Sequence, residues 1–432
     1  MPTPVASLRL HLALAALCAV VAAAAIAWTA WDMFGPRHRP MLQGSDDTFY
    51  YSWLPTVVID HDLDFSNQLA HGGTIDPALR DRLLAQPRTA TGLLPVKYPP
   101  GWAIGSLPFF LFARLLAPAG TTGFEPFYFV SVWFGQLVCA AAGLWLAVRI
   151  LERYFDRGTA IVAVLVGWLA SPLVYYQTAR LSMSHSQAFA LTAAVTWLAL
   201  AIADGDARPR HWFLLGLCAA LLVVTRNVAF VYLALPALVV VRQLRSPASA
   251  AWLIAGAAGP VAAQLVAWKI LFGSWLAYSY GGERFDFAHL HLGAVLFSPL
   301  HGWFYWHPLL LVAIAVFVMW AWPRPEGRAW LASLAAITLL NAAWPTWWLG
   351  SSFGQRGFEA ATLFAMLGLA ALFEAVRRDA FWRRATAWAA ALAIGWNVAL
   401  LALFLTHRIP REQPVTCRDV VVAAVRWIDP SP

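Results

Sequence analysis

The sequence predicts an all-α polytopic membrane protein of about 11 transmembrane helices, with the N-terminus inside and the C-terminus outside. Three observations predict it. First, 60% of the residues are hydrophobic and only 12% are charged, where soluble domains carry about 25% charged residues. That is about half the usual supply for a surface facing water, and the mean hydropathy is +0.62. Second, apolar runs recur at lengths near the about 20 residues that cross a hydrocarbon core about 30 Å thick. They lie near 9–31, 124–148, 159–176, 186–203, 212–225, 227–241, 250–272, 303–322, 330–348, 357–376 and 385–405. Third, the arginines between these runs alternate in density, as the positive-inside rule requires.

With the N-terminus inside, the inner loops carry Arg149, Arg153 and Arg157; Arg208 and Arg210; Arg242 and Arg245; Arg324 and Arg328; and Arg377, Arg378, Arg383 and Arg384. These are 13 arginines, against Arg180, Arg226, Arg284 and Arg356 in the short outer loops. The net charge of +8 is thereby assigned to orienting the chain and not to nucleic acid. The 24 Trp and 26 Phe suit aromatic belts at two membrane interfaces. Cys18, Cys139 and Cys218 lie inside apolar segments and Cys417 stands alone, so neither a disulfide framework nor metal-type spacing follows.

Element by element, run 9–31 is too long for a signal-peptide core and is expected to be a retained span. A large outer segment, 32–98, follows it. "GWAIGSLPFFLFARLLAP" (101–118) would reverse the arginine bias if it crossed, so it is expected to lie on the outer face, extending the first outer loop to 32–123. Run 211–241 would reverse the bias as one helix, and is expected to be two short helices meeting near Arg226. Each has about 14 residues and spans about 21 Å, which puts Arg226 at the floor of an outer recess. Residues 1–405 form one transmembrane domain, and 406–432 form a short outer tail whose "DVVVAAVRWI" lies along the membrane surface.

Five aspartates crowd the first outer loop between residues 42 and 68. "SDDTFYYSWLPTVVI" reads as a short helix with Ser45 or Asp46 near its N-cap, where carboxylates meet free backbone amides. Two adjacent carboxylates exceed what one cap needs. Asp46 and Asp47 are therefore the candidate catalytic pair, as general base or as the seat of a divalent cation, none being required. Tyr50 and Tyr51 are candidates to line a carbohydrate-sized cleft, with Trp303 and Tyr305 of "LFSPLHGWFYWHP", whose other reading is an interfacial belt. Asp60, Asp62 and Asp64 lack the glycine and glutamate of a calcium loop and read as a capping turn. Lys97 in "VKYPPGW" is placed for an anionic head group or for snorkelling to lipid phosphate. Arg226, Arg356, Arg180 with His185, and Arg284 are candidate phosphate ligands because the orientation rule disfavours them where they stand. Arginine's planar fork suits phosphate; pairing with a structural carboxylate is the alternative for Arg226, and interface snorkelling for Arg180 and Arg284.

These segments resemble a known family. "YYSWLPTVVIDHDLDFSN", "LSMSHSQAF", "LLVVTRN", "LFSPLHGWFYWHP" and "WWLGSSFGQRGF", in that order, are similar to segments of the C-type (GT-C) superfamily of membrane glycosyltransferases, which use polyprenyl-phosphate-linked sugars. The likeness is to a bacterial branch related to protein O-mannosyltransferases and to the aminoarabinose transferase of lipid A, and it spans about residues 10 to 405. It implies that Asp46 corresponds to the superfamily's first-loop acidic residue, often followed by Glu and here by Asp47, and that "YPP" lies on a helix at the membrane surface. The long C-terminal soluble domain of some members is not expected, since only about 27 residues follow the last span. The resemblance implies an inverting transfer from a polyprenyl-phosphate sugar to an envelope glycan, lipid or protein acceptor. It also implies a bacterial inner membrane with the site facing the periplasm, membrane lipids as partners, and no nucleic acid. The rival readings are a transporter or flippase of lipid-linked saccharide and a non-catalytic envelope assembly protein.

Overall fold

A tract this rich in apolar residues must satisfy its backbone polar groups internally, and helices do so within a single segment. The computed structural model describes residues 4–71 and 74–428, and among them the chain is helical throughout, with no strand and one isolated bridge, Leu42 to Ile75. Five helices are long and apolar enough to cross a membrane: Leu10–Phe34, Pro126–Leu151, His185–Ala203, Pro247–Phe272 and Ala380–Leu405. Other expected spans are shorter or interrupted. The one near 159–176 ends at Leu169 and resumes as the single turn Leu173–Tyr176. The one near 303–322 breaks before Pro308, and those near 227–241 and 357–376 begin as 3-10 turns. Proline explains the first two breaks, because its ring removes an amide donor and disfavours helix at the preceding residue.

The chain divides into two compact units. One comprises Met1–Thr29, Leu144–Ala179 and Arg284–Pro432. Its centre is the helix Thr362–Val376, whose residues Thr362 to Ala371 are all buried, as expected of a helix apolar on every side. Gly368 lets this helix approach Pro308–Ala321 closely, since a Cβ there would stand 1.8 Å from the Ala313 carbonyl oxygen. Phe317 and Phe364 stack across the same contact at 5.2 Å.

The other unit comprises Ala30–Gly143 and Arg180–Glu283. Pro209–Thr225 and Pro247–Phe272 cross through paired glycines: a Cβ on Gly216 or Gly256 would lie 2.0 Å from the Leu253 or Phe213 carbonyl oxygen. Small residues at such crossings let backbones meet where lipid removes the hydrophobic drive. The segment 32–123 packs in this unit around a core that includes Phe49, Trp53, Phe65, Leu94, Trp102 and Phe110, with Ala267 and Leu271 of Pro247–Phe272. It carries the helices Ser45–Pro55, Ser66–Ala70 and Pro77–Leu84. The expected helix within 101–118 is Gly101–Leu116; the "YPP" stretch precedes it and does not lie on a helix.

Candidate active site

The helix Ser45–Pro55 has Gly44 as its N-cap, so Ser45 and Asp46 stand beside the cap. Asp47 does the capping from the third helical position: its Oδ1 accepts the Gly44 amide at 2.8 Å and its Oδ2 the Gln43 amide at 3.2 Å. The same Oδ2 lies 2.9 Å from Arg180 Nη2. Burial pushes the Asp47 carboxyl up, while Arg180 and the two amides pull it the other way. Both oxygens are thus engaged, so the Asp46–Asp47 pair does not offer a cation the two open carboxylates it would need. Among the described residues, no group of three His, Cys, Asp or Glu is arranged to hold a metal.

Asp46, one residue earlier, points elsewhere because successive helical residues diverge by about 100°. It is half-buried, and its Oδ1 accepts the Tyr98 hydroxyl at 2.6 Å. Tyr98 stacks on Tyr50 with ring centroids 4.7 Å apart and meets Tyr280 edge-on at 6.0 Å. Tyr50 is buried and accepts the Ser184 hydroxyl at 3.1 Å. Tyr51 is fully buried, stacked on Phe129 at 4.1 Å, and its hydroxyl donates to the Gly123 carbonyl at 2.6 Å. Both tyrosines belong to the hydrophobic core of this unit.

Arg226 stands at the break between Pro209–Thr225 and the 3-10 turn Asn227–Leu233, with extended backbone at φ −146° and ψ 111°. The expected meeting of two short helices at this residue is therefore observed. Arg226 Nη1 donates to His185 Nδ1 at 2.7 Å, which fixes that ring nitrogen as an acceptor. Gln187, two residues on, clamps the break by donating to the Thr225 hydroxyl at 2.7 Å and to the Gly101 carbonyl at 2.8 Å. Gly101 is packed so tightly there that a Cβ would fall 2.3 Å from the Val224 carbonyl.

Lys97 makes a two-pronged ion pair with Glu283, at 2.6 and 2.7 Å, and its ammonium lies 5.0 Å from the Tyr280 ring centroid. Contacts within this unit link the parts: Asp46 is held by Tyr98, Tyr98 stacks on Tyr50, Tyr50 accepts from Ser184, and the adjacent His185 accepts from Arg226. Burial first, then Tyr50, Asp46 and Glu283, push the Tyr280 phenol up, while Arg226 pulls it down. Tyr98, Tyr280 and Glu283 are functional candidates that residue type and spacing alone do not single out. The only local signal is the glycine pair in "YSYGGER" beside Arg284, the residue that charge does single out.

Arg284, Arg356, Trp303 and Tyr305 belong to the other unit. Arg284 is exposed. Arg356 opens the 3-10 turn Arg356–Phe358, in the electrostatic neighbourhood of Glu359 and Tyr176. Trp303 is buried and stacked on Phe358 at 4.1 Å, a packing role in place of the expected cleft, because both ring faces are covered by Phe358 and Phe304. Tyr305 meets the thiol of Cys417 at 4.0 Å. The turn Asp60–Asp64 caps as expected, with Asp64 Oδ1 accepting the amide and hydroxyl of Ser66.

In fold, the chain is similar to the crystal structure of ArnT from Cupriavidus metallidurans in the apo state. The match covers 97% of this chain and 75% of that one, at 12% identity and a TM-score of 0.51. No protein-family model and no curated protein matches the chain.

Proposed function

We propose that the protein is a membrane glycosyltransferase that moves a sugar from a polyprenyl-phosphate donor to an envelope acceptor on the periplasmic face. In this reading the chain crosses a bacterial inner membrane about eleven times, N-terminus inside, a topology supported by the arginine bias. The observation that carries the chemistry is that one run of contacts joins Asp46, through Tyr98 and Tyr50, to Ser184 and the adjacent His185, which Arg226 engages.

Asp46 takes the proton from an acceptor hydroxyl as its oxygen attacks the anomeric carbon. The bond to the lipid phosphate breaks on the opposite face, so the anomeric configuration inverts. A free aspartate has a pKa of about 3.9 and is a weak base, so it acts late, once the oxocarbenium-like centre has made the hydroxyl acidic. Such help is commonly worth about 10²–10⁴ in rate. Tyr98 holds Asp46 by Oδ1 and orients the carboxylate. The departing phosphate gains charge, and Arg226 and Lys97 stabilise it more in the transition state than before. Tyr98 and Tyr280, with Tyr50 packed behind Tyr98, offer the sugar apolar faces. Asp47 and Arg180 hold the helix start and take no part in proton transfer, and no step needs a metal.

The test is purified Asp46→Asn protein given a polyprenyl-phosphate sugar. The variant is expected to keep its melting temperature and lose at least about a hundredfold in turnover. Equal consumption of the donor by both proteins removes Asp46 from the mechanism, and movement of labelled lipid across liposomes without its consumption replaces transfer by transport.

A further inference from the structure

In the unit that does not hold Asp46, a cavity of about 360 Å³ opens where the start of Arg157–Leu169 meets the ends of Pro308–Ala321 and Thr362–Val376. That volume is in the range of small-molecule pockets. Its aromatic wall is Trp320, met by Tyr154 at 5.1 Å, edge-on, and by Phe155 at 5.5 Å. The Arg324 guanidinium stacks 4.1 Å from the Trp320 ring and also donates to the Trp320 carbonyl, so this cation is anchored in place. Arg377 supplies a second guanidinium, with its Nε 3.0 Å from Glu374 Oε1. Asp156 is occupied in capping Arg157–Leu169 through Thr159.

One group in the cavity is unsatisfied. The Glu374 side chain is 35% exposed, but its Oε2 is covered by neighbouring atoms and, among the described residues, has no hydrogen-bond partner. A buried acceptor without a donor is an unfavourable arrangement that a ligand donor relieves. A simple anion would suit the two arginines and leave Glu374 as it is. A simple cation would suit Glu374 and be repelled by both guanidinium groups. A ligand with a phosphate and a nearby ammonium satisfies all three. Next to the lining residues, Met319, Trp322, Phe381 and Trp382 are exposed, which gives an attached acyl chain an apolar surface to lie on.

We propose that this cavity binds the zwitterionic head group of an ethanolamine phospholipid, with the phosphate on Arg324 and Arg377 and the primary ammonium on Glu374. Basic pockets at helix ends are a general mode of lipid head-group recognition; the carboxylate adds selectivity for an amine that still carries hydrogens.

The test uses the full chain, delipidated in detergent and titrated by native mass spectrometry. The lipids are phosphatidylethanolamine, its mono-, di- and trimethylated forms, and phosphatidylglycerol. Affinity is expected to fall at least about tenfold from the primary to the trimethylated amine, the scale of one lost charge-assisted hydrogen bond. Glu374→Gln is expected to flatten that series, and Arg324→Gln to weaken every phospholipid alike. Equal binding of the primary and trimethylated lipids by the wild-type chain overturns the proposal, as does an unchanged preference in Glu374→Gln. The wild-type methylation series decides alone if the variant does not fold. Soluble phosphoethanolamine that displaces the lipid at equal concentration overturns the assignment to a lipid.

Discussion

Asp46 and Asp47 are neighbours in sequence with opposite predicted responses to the same substitution. Asp47→Asn removes the charge from a pair whose side chains are only 2% and 16% exposed, with N and O 2.9 Å apart. Breaking a buried pair by deleting one partner costs about 3–5 kcal/mol, because the other charge stays buried. The asparagine oxygen still accepts a backbone amide, so the lower end, about 3 kcal/mol, is expected. For a domain the size of this unit, that is a fall in melting temperature of about 6–12 °C. Arg180→Met should cost less, since two backbone amides continue to solvate the Asp47 carboxylate. The double variant should recover more than half of the Asp47→Asn loss, because no lone guanidinium remains. Thermal unfolding in detergent, followed by tryptophan fluorescence, reads all four proteins, and donor consumption is measured in parallel. If Asp47→Asn keeps the wild-type melting temperature and loses turnover as Asp46→Asn does, Asp47 is a reacting carboxylate and the division of labour between the two aspartates is refuted.

The rest of the cluster is open to the same treatment. Arg226→Lys keeps the charge and loses the planar fork, so the donor KM should rise about tenfold with a smaller change in kcat, and an unchanged KM detaches Arg226 from the donor phosphate. Gly101→Ala forces a methyl group against the Val224 carbonyl and the Thr225 amide, 2.3 and 2.4 Å from its ideal position. Overpacking of this kind costs about 1–3 kcal/mol; melting temperature and turnover should fall together, and a silent substitution shows that the break can shift freely. Glu283→Gln removes the charge that engages Lys97, so the donor KM should fall in steady-state assays at low salt, and a rise would mean that Glu283 itself contacts the substrate.

By itself, the sequence determined the class of the molecule. Low charge, apolar runs and arginine parity are local or additive properties, and they mark a multispan helical chain without reference to tertiary contact. They also located the interruption at Arg226, since a helix through that residue would have inverted every later loop. Asp46, Lys97, Tyr50 and Arg226 were legible because charge or an aromatic cluster is conspicuous against an apolar background. What each does was not legible. Which of two adjacent aspartates is sealed against Arg180, and which is held by Tyr98, depends on the rotational phase of a short helix. The helix "SDDTFYYSWLP" is buried on nearly every side from Asp47 onward, so the spacing of its apolar residues marks no single inward face. The partner of Lys97 lies 186 residues away in sequence, as a glutamate on a glycine-rich loop that no periodicity marks. Only tertiary structure decides such pairings, because the energy of a contact depends on distance and burial in space, and composition and spacing along the chain record neither.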